Sequence, residues 1–441
     1  MRIALVSLHT SPAAVPGSGD AGGMNVVVAN AARALARAGH DVTAFTRADG
    51  HAAAELSETS VPPGAAPSGA PVARIVVSPL GDGARLVTLP AGDAALRKEA
   101  LPGVVPVFAA ALAAHGPFDA VHAHYWLSGL AALPLAARSG VIPALTLHTV
   151  AAQKNARLAP GDRPEPPLRV AGERALTRRA QLIACSTSER EAIRSGYGEP
   201  RFPIPVVTPG VDTELFRPRG IGAGLAESGA GLAEFGAGLA ECGAGLADSR
   251  PLRVTVLGRV QPLKGQDLAV AAAAALARRD PELWGRTELV VAGEPTPGAE
   301  DYAAELRALA DREGIADRVR FLPAQSRAAA AALFADSDLV LVPSHSETFG
   351  LVALEAAAAG VPAIVAAHTG LLEATPPGES GVRVAGRDPE EWARAMAQLL
   401  RDPERRARLG AEARAHALSH NWDAHAAQLV EVYSRLRTRS A

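Results

Sequence analysis

The chain has 441 residues, too many for one compact core, and two domains are expected. Its 44 Lys and Arg against 46 Asp and Glu leave a formal charge of -2, which argues against nucleic acid and against a polyanionic acceptor. Two cysteines and no apolar run near the ~20 residues of a membrane span exclude a disulfide framework, a cysteine metal cage and a spanning helix.

The first residues, Met1-Arg2-Ile3-Ala4-Leu5-Val6-Ser7, read as a strand rather than a leader, so a cytoplasmic chain is expected. Further strands are predicted at 42–46, 74–77, 120–123, 144–147, 182–185 and 205–208, with helices at 25–38, 129–138, 168–179 and 188–195. Apolar strands without alternation, separated by helices, predict a parallel sheet covered on both faces. The Pro/Gly/Ala-rich stretch 52–71 reads as a surface excursion. The second half repeats the scheme, with strands at 253–257, 289–292, 319–322, 339–342, 363–365 and 381–384. Helices are expected at 266–279, 301–312, 327–335 and 351–359. Asp388-Pro389-Glu390-Glu391 and Asp402-Pro403-Glu404 each give an N-cap, a first-turn proline and acids at the dipole's positive end.

Between the halves lies a seven-residue repeat starting at Gly222, Gly229, Gly236 and Gly243. Two glycines per repeat cost about 1 kcal/mol each against a helix, and a single leucine stripe buries too little to offset them. The expected organisation is one domain at 1–210, a disordered insertion at 220–250, a second domain at 251–420, and a final helix at 421–441 that returns to the first domain.

The chemistry concentrates at strand ends. Pro343-Ser344-His345-Ser346-Glu347-Thr348-Phe349-Gly350 links a strand to a helix, where free N–H groups and the helix dipole favour an anion. Glu347 suits sugar hydroxyls and Glu355, two turns into the helix, suits a ribose diol. Arg259 and Lys264, five residues apart in Gly258-Arg259-Val260-Gln261-Pro262-Leu263-Lys264-Gly265, suit a diphosphate. Carboxylates for hydroxyls with a cation pair for a diphosphate describe a nucleotide-sugar site at the carboxyl ends of open α/β sheets. The glycine-rich loop 17–25 precedes a helix and is too long for a dinucleotide fingerprint. In it Gly23 is the candidate for close approach to a diphosphate, and Asp20 and Asn25 for hydroxyls. His122 and His124 alternate on one strand with no third ligand, so zinc is not expected; His122 reads as structural. His148, at the end of the next strand, suits a hydrogen bond to a sugar hydroxyl.

Ser7-Leu8-His9-Thr10-Ser11-Pro12, Gly19-Asp20-Ala21-Gly22-Gly23-Met24-Asn25, His124-Tyr125-Trp126-Leu127-Ser128-Gly129, Gly258-Arg259…Lys264-Gly265 and Glu347-Thr348-Phe349-Gly350…Glu355 together resemble the retaining GT-B glycosyltransferases. Within them the chain is most similar to the inositol-phosphate N-acetylglucosaminyltransferases of actinobacterial mycothiol synthesis. The acceptor motifs also resemble sucrose and sucrose-phosphate synthases. The resemblance implies two Rossmann-like doubly wound domains facing a central cleft, and UDP-N-acetylglucosamine as donor. It implies His9, Gly23, Arg259, Lys264, Gln325, Glu347 and Glu355 on the donor, with Arg259, Lys264, His148 and Glu347 closest to the chemistry. On the acceptor, an inositol phosphate, it implies the loop Asp20, Ala21, Gly22, Gly23, Met24 and Asn25, and a phosphate grip of Lys98, Tyr125, Thr149 and Arg169. It also implies a homodimer and a magnesium ion held largely through backbone groups near Phe334, Ala335, Ser337 and Val361, structural rather than catalytic. It implies no cofactor required for the chemistry. A hexosyltransferase of the sucrose-phosphate-synthase kind remains a second reading, and a nucleotide-sugar-binding regulator a third.

Overall fold

The computed structural model describes residues 1–17, 19–48, 75–219, 250–376, 378 and 380–436. The first part of the chain runs β1 (Arg2–Ser7), α1 (Gly23–Arg37), β2 (Asp41–Arg47), β3 (Val76–Gly81), β4 (Ala84–Leu89), α2 (Val105–Ala113), β5 (Ala120–His124), α3 (Trp126–Ser139), β6 (Ala144–Thr146), α4 (Ala151–Ala156), α5 (Pro167–Leu176), β7 (Gln181–Leu182) and α6 (Thr187–Tyr197). A 3-10 segment, Lys98–Val104, leads into α2.

The second part runs β8 (Leu252–Leu257), α7 (Gln266–Arg279), α8 (Pro281–Gly285), β9 (Thr287–Ala292), α9 (Glu300–Arg312), β10 (Val319–Leu322), α10 (Arg327–Ala335), β11 (Leu339–Val342), α11 (Leu351–Ala358), β12 (Ala363–Ala366), α12 (Leu371–Ala374) and β13 (Gly381–Val384). It closes with α13 (Pro389–Arg401), α14 (Pro403–Leu418) and α15 (Trp422–Ser434).

The strands form two sheets, in the orders β3-β4-β2-β1-β5-β6-β7 and β10-β9-β8-β11-β12-β13. Every paired strand is parallel except the β3–β4 hairpin. Strand order reverses between β1 and β5 in one sheet and between β8 and β11 in the other, and crevices open at such switch points on the carboxyl side. Ile3, Leu5 and Val42 bury into helices on one face of the first sheet, while Ala4, Val6 and Phe45 bury on the other. The second sheet is sealed by one continuous core that includes Phe334, Leu341 and Trp392.

The last helix completes the first domain. Trp422, Ala426, Leu429 and Tyr433 of α15 pack with Ile3, Leu5 and Val28. Its start is fixed by Asn421, whose side chain accepts from Ala424 N at 2.8 Å.

Several expectations shift. The predicted strand at 205–208 is only an isolated bridge between Ala184 and Val206, because prolines at 203, 205 and 209 interrupt the ladder. The strand expected at 182–185 is shorter, Gln181–Leu182. Strand β4 and helices α2, α4, α8 and α12 are additions. The excursion 52–71, nearly all of the insertion 220–250 and Cys242 lie outside the described residues; Cys185 is buried and unpaired.

Candidate active site

The glycine loop after β1 is locked before it reaches the cleft. Asn25, third residue of α1, accepts from Gly22 N through Oδ1 at 2.9 Å and donates through Nδ2 to Thr10 Oγ1 at 2.9 Å and Ser11 O at 2.6 Å. Both ends of this buried amide are therefore used inside the loop. The hydroxyl-binding role expected of Asn25 gives way to a capping role, as its place in the first turn of α1 allows. The capped turn presents Gly22 and Gly23 to side chains of the second domain. A Cβ on Gly22 would stand 3.5 Å from Arg259 Nε, and one on Gly23 would stand 3.2 Å from Leu351 Cδ1. Further along, Gly17 O accepts from Glu294 N at 3.4 Å, so the loop bridges both domains.

On the facing wall Arg259 follows β8, and Lys264 ends a one-turn 3-10 segment, Pro262–Lys264. Gly265 then takes φ +69, and a Cβ there would lie 2.2 Å from Pro343 O, so only glycine lets this loop approach the next one. Across that contact Lys264 Nζ meets Glu347 Oε1 at 2.6 Å, and Ser344 Oγ donates to the same oxygen at 2.8 Å. Glu347 N donates to Thr369 Oγ1 at 3.1 Å. Arg387 Nη1 donates to Pro343 O at 2.7 Å and steadies the strand end.

Arg259 and Lys264 are 23% and 24% exposed, so they line the cleft rather than project into bulk water. Burial lowers the Arg259 pKa, with Asp20 and Glu347 opposing the shift. Asp20 Oδ1 lies 3.8 Å from both Arg259 Nη1 and Lys98 Nζ, so cations from opposite domains converge on one carboxylate. An anion placed there would meet the same two charges and the start of α1.

Glu355 is buried on α11, with Oε1 paired to Arg327 Nη1, whose guanidinium lies 4.6 Å over the Phe216 ring. Gln325 turns its side chain onto Pro323 O at 2.8 Å, leaving its backbone on the loop that Gly17 approaches.

The acceptor set assembles around one aromatic ring. Tyr125, immediately after β5, has His9 4.2 Å from its ring centroid, Arg169 Cζ at 4.7 Å and Lys98 Nζ at 5.6 Å. Such cation–π geometry is worth about 2 kcal/mol for a desolvated charge such as Arg169 and about 0.5–1 kcal/mol for the more exposed Lys98. Burial pushes the Tyr125 phenol up to about 12 and pulls the Lys98 ammonium down.

Arg169 is almost fully committed. Its Nε meets Glu173 Oε1 at 2.6 Å and Nη1 meets Glu165 Oε2 at 2.8 Å. Nη2 donates to Thr149 O at 2.8 Å and Thr149 Oγ1 at 2.7 Å. Burial lowers the Arg169 pKa, but Tyr125, Glu173 and Glu165 more than reverse this and raise it overall.

His148 lies at the junction of the two sides. Its Nε2 is 2.9 Å from His124 Nδ1, and its carbonyl accepts from Thr348 Oγ1 of the second domain. Burial drives the His148 pKa down to about 3, so the ring is neutral. His122 is structural, as expected: Nδ1 meets Tyr433 OH at 2.7 Å and Nε2 meets Thr146 Oγ1 at 3.0 Å.

Among the described residues four non-glycines have positive φ, and three of them, Tyr125, His148 and Thr369, sit at this cleft. Backbone strain of this kind costs of order 1–3 kcal/mol per residue and clusters where function over-determines geometry. Ser186 Oγ donates to Thr348 O at 2.6 Å and Ser188 N to Glu373 Oε1 at 3.2 Å, closing the far end of the domain contact.

Residues the sequence left unnoticed brace the site. Glu173 is fully buried and takes Arg169, Ala151 N at 3.0 Å and the Tyr197 hydroxyl at 2.6 Å. Glu165, Arg327 and Arg387 act similarly. The one available signal was the i,i+4 spacing of Glu165, Arg169 and Glu173.

The proposed magnesium positions lie at the opposite edge. Phe334, Ala335 and Ser337 precede β11, and Val361 precedes β12, at the amino ends of the strands. Phe334 O already accepts from Ser337 N at 2.9 Å, and the Ser337 hydroxyl is engaged with Leu333 O and Thr255 Oγ1 at 2.7 Å each. The nearest carboxylate, Asp336, is paired with Arg253 and Arg219. Among the described residues no three His, Cys, Asp or Glu side chains form a metal cluster. The expected contacts are largely backbone groups; with Phe334 O and the Ser337 hydroxyl already engaged and Asp336 paired, the set fits a magnesium ion poorly, and no chemical step runs through one.

The family model for "Glycosyl transferases group 1" matches residues 244–416 and that for "Glycosyltransferase Family 4" matches residues 21–215. A D-inositol 3-phosphate glycosyltransferase of Salinispora arenicola is 42% identical over 440 residues, covering 98% of this chain and 91% of the relative. One of Thermomonospora curvata is 40% identical over 441 residues, covering 98% and 95%. The chain belongs to the D-inositol 3-phosphate glycosyltransferase family. Sucrose-phosphate synthase from Thermosynechococcus elongatus superposes with TM-score 0.79 at 27% identity, covering 98% of both chains. The chain is thus a glycosyltransferase with the GT-B arrangement of two parallel-sheet α/β domains, and its cleft is that of this family. Among the described residues no helix is long and apolar enough to cross a membrane.

Proposed function

We propose that the chain transfers N-acetylglucosamine from UDP-N-acetylglucosamine to 1D-myo-inositol 3-phosphate with retention at the anomeric carbon, the first step of mycothiol synthesis. The observation that carries this reading is the convergence of Arg259 and Lys98, from opposite domains, on Asp20 beside the capped Gly22–Gly23 turn, with Lys264 paired to Glu347 on the Arg259 wall. The donor diphosphate takes the place that Asp20 and Glu347 hold on those cations, and Glu347, once released from Lys264, is free for sugar hydroxyls. The bond from the anomeric carbon to the diphosphate oxygen breaks as the departing charge is stabilised by Arg259, Lys264 and the start of α1. The inositol hydroxyl bonds to the same face, and its proton passes to the leaving phosphate oxygen.

The acceptor's phosphate lies among Lys98, Tyr125, Thr149 and Arg169. With Arg169 committed to Glu173, Glu165 and Thr149, Lys98 and the Tyr125 and Thr149 hydroxyls carry most of the new contacts. Each charge-assisted bond contributes about 1.5–3 kcal/mol, enough to make the phosphate decisive for acceptor choice. Closure of the two domains excludes water and protects the donor from hydrolysis.

A magnesium ion at Phe334–Val361 would lie away from the cleft and take no part in transfer. A homodimer is the assembly expected from the family resemblance, and sedimentation measures it.

The direct test is incubation with UDP-N-acetylglucosamine and either inositol 3-phosphate or inositol, followed by mass spectrometry. A product heavier by one N-acetylhexosamine only with the phosphorylated acceptor supports the reading. Equal products from both, or none from either, refute it.

A further inference from the structure

The strands β5 and β6 are neighbours, and their register pairs His124 with Thr146, two residues before His148. The chain turns sharply at His148, which takes φ +61, and this brings its imidazole back onto His124. The separation of 2.9 Å between His124 Nδ1 and His148 Nε2 is a hydrogen bond between two neutral rings, so a single proton lies between them. Which ring supplies it fixes what His148 offers to the cleft.

The other nitrogen of His124 decides the matter. His124 is 1% exposed, and its Nε2 is buried with no hydrogen-bond partner. A proton on that nitrogen would be an orphaned buried donor, a rare state in native proteins. With the proton on Nδ1, His124 donates to His148 and leaves only a lone pair unmatched. The ring of His122, 4.2 Å away by centroid, is held by Tyr433 and Thr146 and offers His124 no proton. Burial holds both rings well below their ordinary pKa, so neither charges to escape the choice.

We propose that His124 is a positioning residue that fixes the tautomer of His148: it donates to His148 Nε2 and so keeps the proton on His148 Nδ1, the ring nitrogen left to donate a hydrogen bond to the donor sugar. This deepens the reading given above, because it depends on His148 meeting a sugar hydroxyl. It also states what His148 does there: it gives a hydrogen bond and does not act as a base.

The test reads the proton directly. In full-length protein labelled with nitrogen-15 at histidine, long-range proton–nitrogen correlation spectra distinguish a protonated ring nitrogen from a bare one, with the His148 signals identified by their loss in His148→Gln. The expected result is a protonated Nδ1 on His148. His124→Asn places an amide N–H where the imidazole N–H stood and should keep that pattern. His124→Leu removes the donor and should move the His148 proton to Nε2, the position a free imidazole prefers. Turnover should follow, with kcat reduced at least tenfold in His124→Leu and largely restored in His124→Asn, while the KM for the acceptor changes little. A His148 proton on Nε2 in the native protein, or one on Nδ1 in all three proteins, overturns the inference. If the spectra behave as expected while kcat is the same in all three, the tautomer assignment stands and the placement of His148 on the sugar fails instead. Thermal unfolding of each variant separates these outcomes from a loss of fold.

Discussion

The two walls of the cleft hold their cations differently. On the second-domain wall Lys264 and Arg259 each face one carboxylate, Glu347 at 2.6 Å and Asp20 at 3.8 Å, and both side chains remain about a quarter exposed. On the first-domain wall Arg169 is 3% exposed and held by two carboxylates and by Thr149. A lightly paired cation can exchange its partner for an incoming diphosphate at little cost, whereas a buried and saturated one serves to hold its neighbours in place. The donor wall is therefore built for exchange, while the acceptor wall keeps Arg169 for shape and leaves exchange to Lys98, held only by Asp20 at 3.8 Å.

That contrast can be broken at its stiffest point first. Glu173→Ala should strip Arg169, Tyr197 and the start of α4 of their shared acceptor and lower stability by about 3–5 kcal/mol, measured by denaturant unfolding. A loss below one kcal/mol would mean that the acceptor wall is not braced as described. Next, Lys264→Ala should leave the melting temperature nearly unchanged and cut kcat/KM about a hundredfold to a thousandfold, the range of one lost transition-state charge contact. Native-like turnover would remove Lys264 from the chemistry.

A smaller effect is expected of Lys98→Ala, about 10- to 100-fold in kcat/KM for the phosphorylated acceptor, corresponding to one charge-assisted bond. The already poor rate with plain inositol should hardly move; equal losses with both acceptors would place Lys98 elsewhere. The least change should come from Arg387→Ala. It removes one hydrogen bond beneath Pro343, worth about 1 kcal/mol, and a several-fold fall in kcat would register it.

The same contrast governs what could be read from the chain alone. The donor wall lies in contiguous strand–loop–helix segments, so Arg259, Lys264, Glu347 and Glu355 stood out together. The sheets were legible because their strands are unbroken apolar runs. Strand β4 was missed although Ala84-Arg-Leu-Val-Thr-Leu has strand composition, because its pairing with β3 depends on a turn through Gly81, Asp82 and Gly83, all at positive φ. The acceptor wall draws on positions 98, 125, 149 and 169, which only the fold brings around one ring. Its braces were invisible for a simpler reason: a glutamate on a helix, such as Glu173, ordinarily faces water. Asn25 misled in the opposite direction, since its cap bonds become visible only once the loop from Thr10 to Gly22 has closed.

The helix α15 carries a consequence for biosynthesis. Residues 422–436 supply part of the packing beneath β1, including the hydroxyl that holds His122. Domains usually fold as units, the earlier-made one first, while the ribosome is still elongating. Here the earlier-made domain lacks a wall until residues 422–436 have emerged, so its final consolidation follows the synthesis of its successor. A nascent chain stalled near residue 418 should accordingly leave that domain open to protease.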